Sequence, residues 1–286
     1  LTWRPPSPKM GGLAEPNLGT NMADQARMTW ELVKKIRSAS PLVHNITNYV
    51  VMNNTANALL ALGAAPAMVH AAEEVEEFVA IASSLVINIG TLSPPWITGM
   101  RLGAARARAL GKPWVLDPVG VGATPLRTSV TQQLAKLGPA VIRANASETL
   151  SLASVTLKVT RGVDSTDPSQ IAVEPARWVA KDHGCVVVVS GAVDYVTDGD
   201  RVCEIHNGHP MMPRVTGLGC TASALVGAFL AVEPDPFVAA AHAMAVMGVA
   251  GEIAAERSPG PGSLQMHLLD VLYQLDEAAL ARVRIR

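Results

Sequence analysis

An α/β fold with a central, mostly parallel sheet flanked by helices is what the sequence predicts, on three observations. The hydrophobic pattern switches repeatedly between short β-branched runs and longer helical stretches, the alternation expected of strands that pair in parallel through helical crossovers. The composition is 49% hydrophobic but only 4% aromatic, which suits a buried sheet between closely approaching helices built from Ala, Val, Leu, Ile and Met. The length of 286 residues accommodates one large α/β domain, and neither an internal repeat nor a strong boundary divides it.

The elements follow in order. Residues 1–23 read as a mobile extension ahead of a single domain over 24–286. A first helix is predicted from Asp24 to Ser38, with Pro41 marking its exit. Leu42-Val43 opens a short strand, and "VVMNNTANALLALG" forms a helix ending at Gly63; Asn45, Thr47 and Asn48 sit at the transition, where polar side chains cap a helix or face a ligand. "APAMV" enters the sheet, "AEEVEEFVAIASS" is helical and "LVINIGTL" reads as a buried strand and turn. "SPPWITGMRLGAARARALG" supplies a breaker and a helix, and "PWVLDPVGVGA" returns to a strand with a glycine-rich exit. "AVIRA" and "CVVVVSG" are further strands, and "DSTDPSQ" is loop-like before a helix in "AVEPARWVAKDHG". "YVTDGDRVCEIHNG" resembles a hairpin, Pro213 to Gly219 leads into a helix at Cys220, and two final helices span Asp235–Arg257 and Gly262–Leu280.

Charge and cysteine usage narrow the class. Lys plus Arg number 23 against 24 Asp plus Glu, a net charge of -1 that gives no electrostatic reason to expect nucleic-acid binding. Cys185, Cys203 and Cys220 form no C-x-x-C motif, and an odd count argues against a disulfide framework and for a reducing cytoplasm. The opening residues carry no signal-peptide pattern, and the apolar stretches are broken by charge, Pro or Gly, so no membrane span is expected.

The chemistry concentrates around "VTGLGC". Gly217 and Gly219 permit close approach, and the backbone N–H groups of Gly217, Leu218, Gly219 and Cys220 open a helix whose positive end suits a transferring phosphoryl group. The stretch is not a Walker A motif, since the Lys-Ser/Thr ending is absent. Taken alone it reads equally as a tight turn. Asp117 follows a buried-looking strand and so presents oxygen at the carboxyl end of the sheet, where ligands bind. With Glu148 in "NASETL" it forms a carboxylate pair suited to magnesium and its waters, although each residue alone also reads as a local cap. Arg143 suits nucleotide phosphate or a surface ion pair; Ser190 and Gly191 suit nucleotide contact or strand termination. Cys220 is, on its local sequence, a thiol activated by a helix start or an inert buried cysteine. His44, His70, His206 and His209 read as structural.

The joint order of "PLVHNITNYVVMNNTANALLALGAAPAM", "NIGTL", "VLDPVGVGATPLRT", "VIRANASE", "HNGH", "VTGLGC" and "GPGS", from about Pro41 to Leu269, closely resembles the hydroxyethylthiazole kinases of the ribokinase-like superfamily. The resemblance implies a ribokinase-like three-layer fold, a homotrimer with active sites at subunit interfaces, and ATP- and magnesium-dependent phosphorylation of 4-methyl-5-(2-hydroxyethyl)thiazole in thiamine salvage. Carried over through the matching motifs, Asn48, Val50, Met68 and Gly217 look like substrate-binding positions and Arg143 and Ser190 like ATP-binding positions. Asp117 and Glu148 resemble the carboxylates associated with magnesium, and Cys220 occupies the catalytic position that many ribokinase-like relatives fill with aspartate. Two details depart from the family pattern: Ala144 stands where a glycine is usual in "RANASE", and Ser190 replaces a common threonine. A related small-alcohol or pyrimidine kinase is the nearest alternative. A nucleotide sensor without acceptor chemistry is the alternative from another class.

Overall fold

The computed structural model describes residues 21–157 and 168–286. The expected N-terminal extension therefore lies outside the described residues up to residue 20, as does the first half of the "DSTDPSQ" loop. In chain order the elements are α1 (Met22–Ala39), β1 (Leu42–Ile46), α2 (Met52–Leu62), β2 (Ala65–Ala67), α3 (Val75–Ile81), β3 (Ser84–Asn88), α4 (Pro94–Ala109), β4 (Trp114–Asp117), α5 (Pro125–Ala135), β5 (Val141–Asn145) and α6 (Ala146–Leu157). They continue with α7 (Pro168–Ile171), α8 (Val173–His183), β6 (Val186–Ser190), β7 (Asp194–Thr197), β8 (Val202–Ile205), a 3-10 turn at Met212–Arg214, α9 (Leu218–Leu230), α10 (Pro236–Ala255), α11 (Pro261–Gln274) and α12 (Glu277–Leu280).

Local chemistry explains where these elements begin and end. The Asn21 side chain accepts from the Asp24 N–H, so α1 starts two residues before the position predicted, and its chain leaves through Ser40 in the left-handed region. Gly63, with φ of 106°, closes α2 as a left-handed cap. The long C-terminal helix predicted to run to Leu280 is two helices, because Leu275 turns extended and the Asp276 side chain caps a new start at Ala279 N.

The eight strands form one sheet in the order β2-β1-β3-β4-β5-β6-β7-β8. Pairings from β2 across to β6 are parallel, whereas β6–β7 and β7–β8 are antiparallel. Alternate side chains of the inner strands enter two separate cores. Val186 and Val188 of the valine run join Val43, Val86 and Val115 under α1, α2 and α9 to α11. Val187 and Val189 join Ile46, Ile87 and Leu116 under α3 to α6 and α8. Two apolar cores on opposite faces of one sheet make the three layers. Among the described residues, α10 alone is long and apolar enough to cross a membrane; 89% of its apolar window is buried within the protein, where it serves as a core helix.

The order of the strands places the ligand crevice. From β1 the chain crosses outward to β2, then returns past β1 to β3, so the winding direction reverses between β1 and β3. In open α/β sheets the carboxyl ends of such a strand pair splay apart and leave a crevice.

Candidate active site

Asn48 and Asn88 face each other across that crevice. Asn48 follows β1 and Asn88 closes β3; Asn48 Nδ2 donates to Asn88 Oδ1 at 2.9 Å. The Val50 N–H donates to Asn48 Oδ1 at 3.1 Å, which fixes the orientation of the Asn48 amide. Asn48 Nδ2 also lies 3.6 Å from Cys220 Sγ. The chain runs on to Asp117: Asn88 Nδ2 donates to its Oδ2 at 2.8 Å, and Ser223 Oγ donates to the same oxygen at 2.7 Å.

Asp117 is fully buried at the end of β4, and its other oxygen, Oδ1, has no hydrogen-bond partner. An unpartnered buried carboxylate oxygen is costly unless a ligand completes it. Burial pushes the Asp117 carboxyl up to about 6, against the opposing pull of Arg143 and of the Ser223 hydrogen bond.

Gly217 caps the start of α9 with φ of 82°, and a β-carbon there would meet Val51 Cγ1 at 2.4 Å, so both backbone angle and space demand glycine. No side chain caps this turn, which leaves its opening N–H groups without a side-chain acceptor. Arg143, from β5, packs onto the turn, with Nη1 2.6 Å from the position a Gly219 β-carbon would take. Arg143 Nη2 donates to Ser190 Oγ at 2.6 Å. The pairing of β5 with β6, which aligns Asn145 with Ser190, brings the arginine and serine together. Asp194 stands behind them, accepting the Gly191 N–H at 2.9 Å; burial pushes its carboxyl up to about 6, with Gly191 and Arg143 opposing.

Cys220 is half-buried in the first turn of α9. A thiol lowered by the helix start is one of the two readings its sequence leaves open; the structure reverses that direction. Burial and the neighbouring Asp117 push it up to about 11, outweighing the Asn88 and Asn48 contacts and Arg143. The thiol is protonated near neutral pH.

Glu148 lies in the first turn of α6, and both its oxygens hold backbone. Oε1 accepts from the Gly120 N–H at 2.8 Å and Oε2 from the Asn145 N–H at 2.9 Å, while the Asn145 side chain caps Glu148 N at 2.9 Å. This is a reciprocal capping box that also clamps the glycine-rich loop after β4. Gly122 in that loop, with φ of 88°, packs where a β-carbon would strike Ser151 Oγ at 2.5 Å. Among the described residues no group of three or more His, Cys, Asp or Glu forms a closed metal cage. Two carboxylates with spare oxygen lone pairs suit a hard cation that keeps most of its waters.

The remaining predicted positions, Met68 and Val50, lie outside this side-chain network. Met68 is half-buried just past β2, and Val50 is 69% exposed in the loop after Asn48. Its neighbour Tyr49 is 67% exposed and stacks on Trp96 at 4.7 Å. The histidines are engaged elsewhere: His44 Nε2 with the Val69 carbonyl, His70 against Trp96, and His206 with Glu204. Three site residues escape the sequence pattern. Asn88 falls in the strand and turn of "LVINIGTL", Ser223 in the helix at Cys220 and Arg127 in "PLRT", none of them with a role assigned from the sequence. Arg127 instead donates to the carbonyls of Ile89, Val119 and Gly90, tying the loops after β3 and β4 together.

Comparison with known proteins gives the family and the fold. The model of the hydroxyethylthiazole kinase family matches residues 33–278. A hydroxyethylthiazole kinase from Syntrophus aciditrophicus is 59% identical over 255 residues, covering 89% of this chain and 94% of its own. The solved hydroxyethylthiazole kinase of Pyrococcus horikoshii superposes with a TM-score of 0.85 at 42% identity, covering 91% of this chain and 98% of its own. A ribokinase-like superfamily protein from Enterococcus faecalis shares the fold at a TM-score of 0.59 and 14% identity, over 83% of this chain and 88% of its own.

Proposed function

The chain belongs to the hydroxyethylthiazole kinase family, and from that premise we propose that it transfers the γ-phosphoryl group of ATP to the hydroxyl of 4-methyl-5-(2-hydroxyethyl)thiazole, in thiamine salvage. The observation that carries this reading is the uncapped first turn of α9, faced by the Arg143 guanidinium on one side and by buried Asp117 on the other. Positive N–H density, a cation and a carboxylate within one crevice are the parts phosphoryl transfer requires.

The roles divide along the crevice. Asn48 orients the polar atoms of the acceptor, Val50 and Met68 offer apolar contact to the thiazole, and Gly217 admits it close to the backbone. Arg143 and Ser190 hold nucleotide phosphate. The N–H groups from Gly217 through Leu218 and Gly219 to Cys220 stabilise the oxygens of the transferring group. The acceptor oxygen attacks the γ-phosphorus as the bond to the ADP oxygen breaks, and the hydroxyl proton passes to an oxygen of the transferred phosphoryl group, late because the transition state is loose. Cys220, protonated, positions that hydroxyl. It does not need to take the proton.

Magnesium fits the donor set, since Asp117 keeps one buried oxygen without a partner and Glu148 has free lone pairs. These two residues would hold the ion with its waters, and when bound it neutralises phosphate charge. Tyr49 and Val50, apolar and exposed beside Asn48, favour an assembly in which a second subunit covers the acceptor site, in keeping with a homotrimer. The enzyme is proposed to act in the cytoplasm, with residues 24–286 as one kinase domain and the preceding extension dispensable for chemistry.

The test is direct mass-spectrometric detection of thiazole phosphate after incubation with ATP and magnesium, with controls lacking enzyme or thiazole. Product that depends on both is expected. ATP binding by folded protein without product would favour a different acceptor or a sensor.

A further inference from the structure

We propose that Asn88 is a positioning residue that keeps the acceptor side and the phosphate side of the site in one register; the proposal rests on the kinase reading above. Asn88 is 1% exposed, and beside its contact with the Cys220 thiol its side chain makes three hydrogen bonds. Oδ1 accepts from Asn48 Nδ2 at 2.9 Å and from the Gly90 N–H at 2.9 Å, while Nδ2 donates to Asp117 Oδ2 at 2.8 Å.

The sheet itself sets this placement, because Asn88 is the register partner of Asp117 in the β3–β4 pairing. The Asn48 amide is oriented from both ends, its oxygen accepting from the Val50 N–H and its nitrogen donating to Asn88 Oδ1. At Asp117, Asn88 and Ser223 both donate to Oδ2 and leave Oδ1 without a partner. One oxygen is thereby committed to the protein and the other to whatever enters the crevice. A single carboxamide thus fixes the group that orients the acceptor and the carboxylate that faces the phosphates.

The two connections can be separated. Asn88→Ala removes both, whereas Ser223→Ala withdraws a donor from Asp117 alone. For purified, folded enzyme, Asn88→Ala is expected to raise the thiazole KM and lower kcat, each by about tenfold or more, the size of a lost hydrogen bond to a charged or buried polar group. Ser223→Ala is expected to lower kcat with the thiazole KM unchanged. Adding Asn48→Ala to Asn88→Ala should raise the thiazole KM by much less than Asn48→Ala does alone, as for residues acting in one chain. If Asn88→Ala fails to fold, Asn88→Ser, which keeps an acceptor for the Gly90 N–H, should show the same joint change in KM and kcat. Wild-type kcat and KM in folded Asn88 variants would overturn the assignment while leaving the kinase reading intact. Absence of thiazole phosphate from the wild-type enzyme would overturn both.

Discussion

A β-carbon placed on Gly219 would stand 2.6 Å from Arg143 Nη1, so the first turn of α9 and the guanidinium form one packed surface. The contact is with the far end of a flexible side chain, and Gly219 is not among the glycines with positive φ. Gly219→Ala should therefore fold normally, with a melting temperature equal to or above the wild type from better helix propensity, while the displaced guanidinium raises the ATP KM about tenfold or more. The thiazole KM should hold. An unchanged ATP KM would remove Arg143 from the nucleotide site.

Cys220 should behave as an unreactive thiol. Burial and Asp117 push it up to about 11, and Cys185 and Cys203 are pushed up by burial to about 12, so thiolate is scarce at pH 8, where free cysteine is substantially ionised. Native protein should resist iodoacetamide at that pH, as read by mass spectrometry, and react fully once unfolded. Cys220→Ala should lose less than about tenfold in kcat. A general base contributes about 100-fold to 10,000-fold, and a loss of that size would identify Cys220 as one.

The layers of this fold were legible because their signals are local. The valine run before Ser190 and the glycine-rich exit of "VLDPVGVGA" identify strands without knowledge of what pairs with them. Gly217 and Asp117 could be singled out in the same way, one by its place at a helix start and the other by its place at a strand end. Asn88 and Ser223 could not. Their partners lie 29 and 106 residues away in sequence, and only the crossing of the chain between β1 and β3 makes a strand-end amide into a bridge. The same limit governs Cys220, whose helix position suggests a lowered thiol until the depth of burial beside a carboxylate is known.

Glu148 holds the glycine-rich loop after β4 and is also a proposed magnesium ligand, and the two roles can be separated. Glu148→Ala removes the acceptor for both the Gly120 and Asn145 N–H groups, and a loss of about 1–2 kcal/mol is expected in urea unfolding. Glu148→Gln retains one carbonyl oxygen and should recover part of that stability. Neither variant restores the carboxylate, so both should need more magnesium for half-maximal turnover. Stability loss with an unaltered magnesium requirement would make Glu148 a clamp for the loop and nothing more.

His242 should make the fold sensitive to mild acid. Thr29 Oγ donates to the Gln25 carbonyl at 2.7 Å, so its lone pair accepts from His242 Nδ1 at 2.7 Å, and Nε2 is left buried without a partner. Burial pushes this imidazole down to about 4 from 6.5. Between those values the unfolded chain binds a proton that the folded chain does not, so this residue's contribution makes stability fall as pH drops through the window, by at most about 1.4 kcal/mol per unit. Asp117 and Asp194, both raised to about 6 from 3.8, act in the opposite sense, since there the folded chain holds the extra protons. The two effects overlap, and wild-type stability alone would conceal each. Comparing urea unfolding of wild type and His242→Leu from pH 7.5 down to 5 isolates the histidine: the variant should lose the acid-side decline that belongs to the imidazole, so its stability relative to wild type rises as pH falls. A difference between the two proteins that stays constant with pH would show that the imidazole does not titrate differently in the folded and unfolded chain.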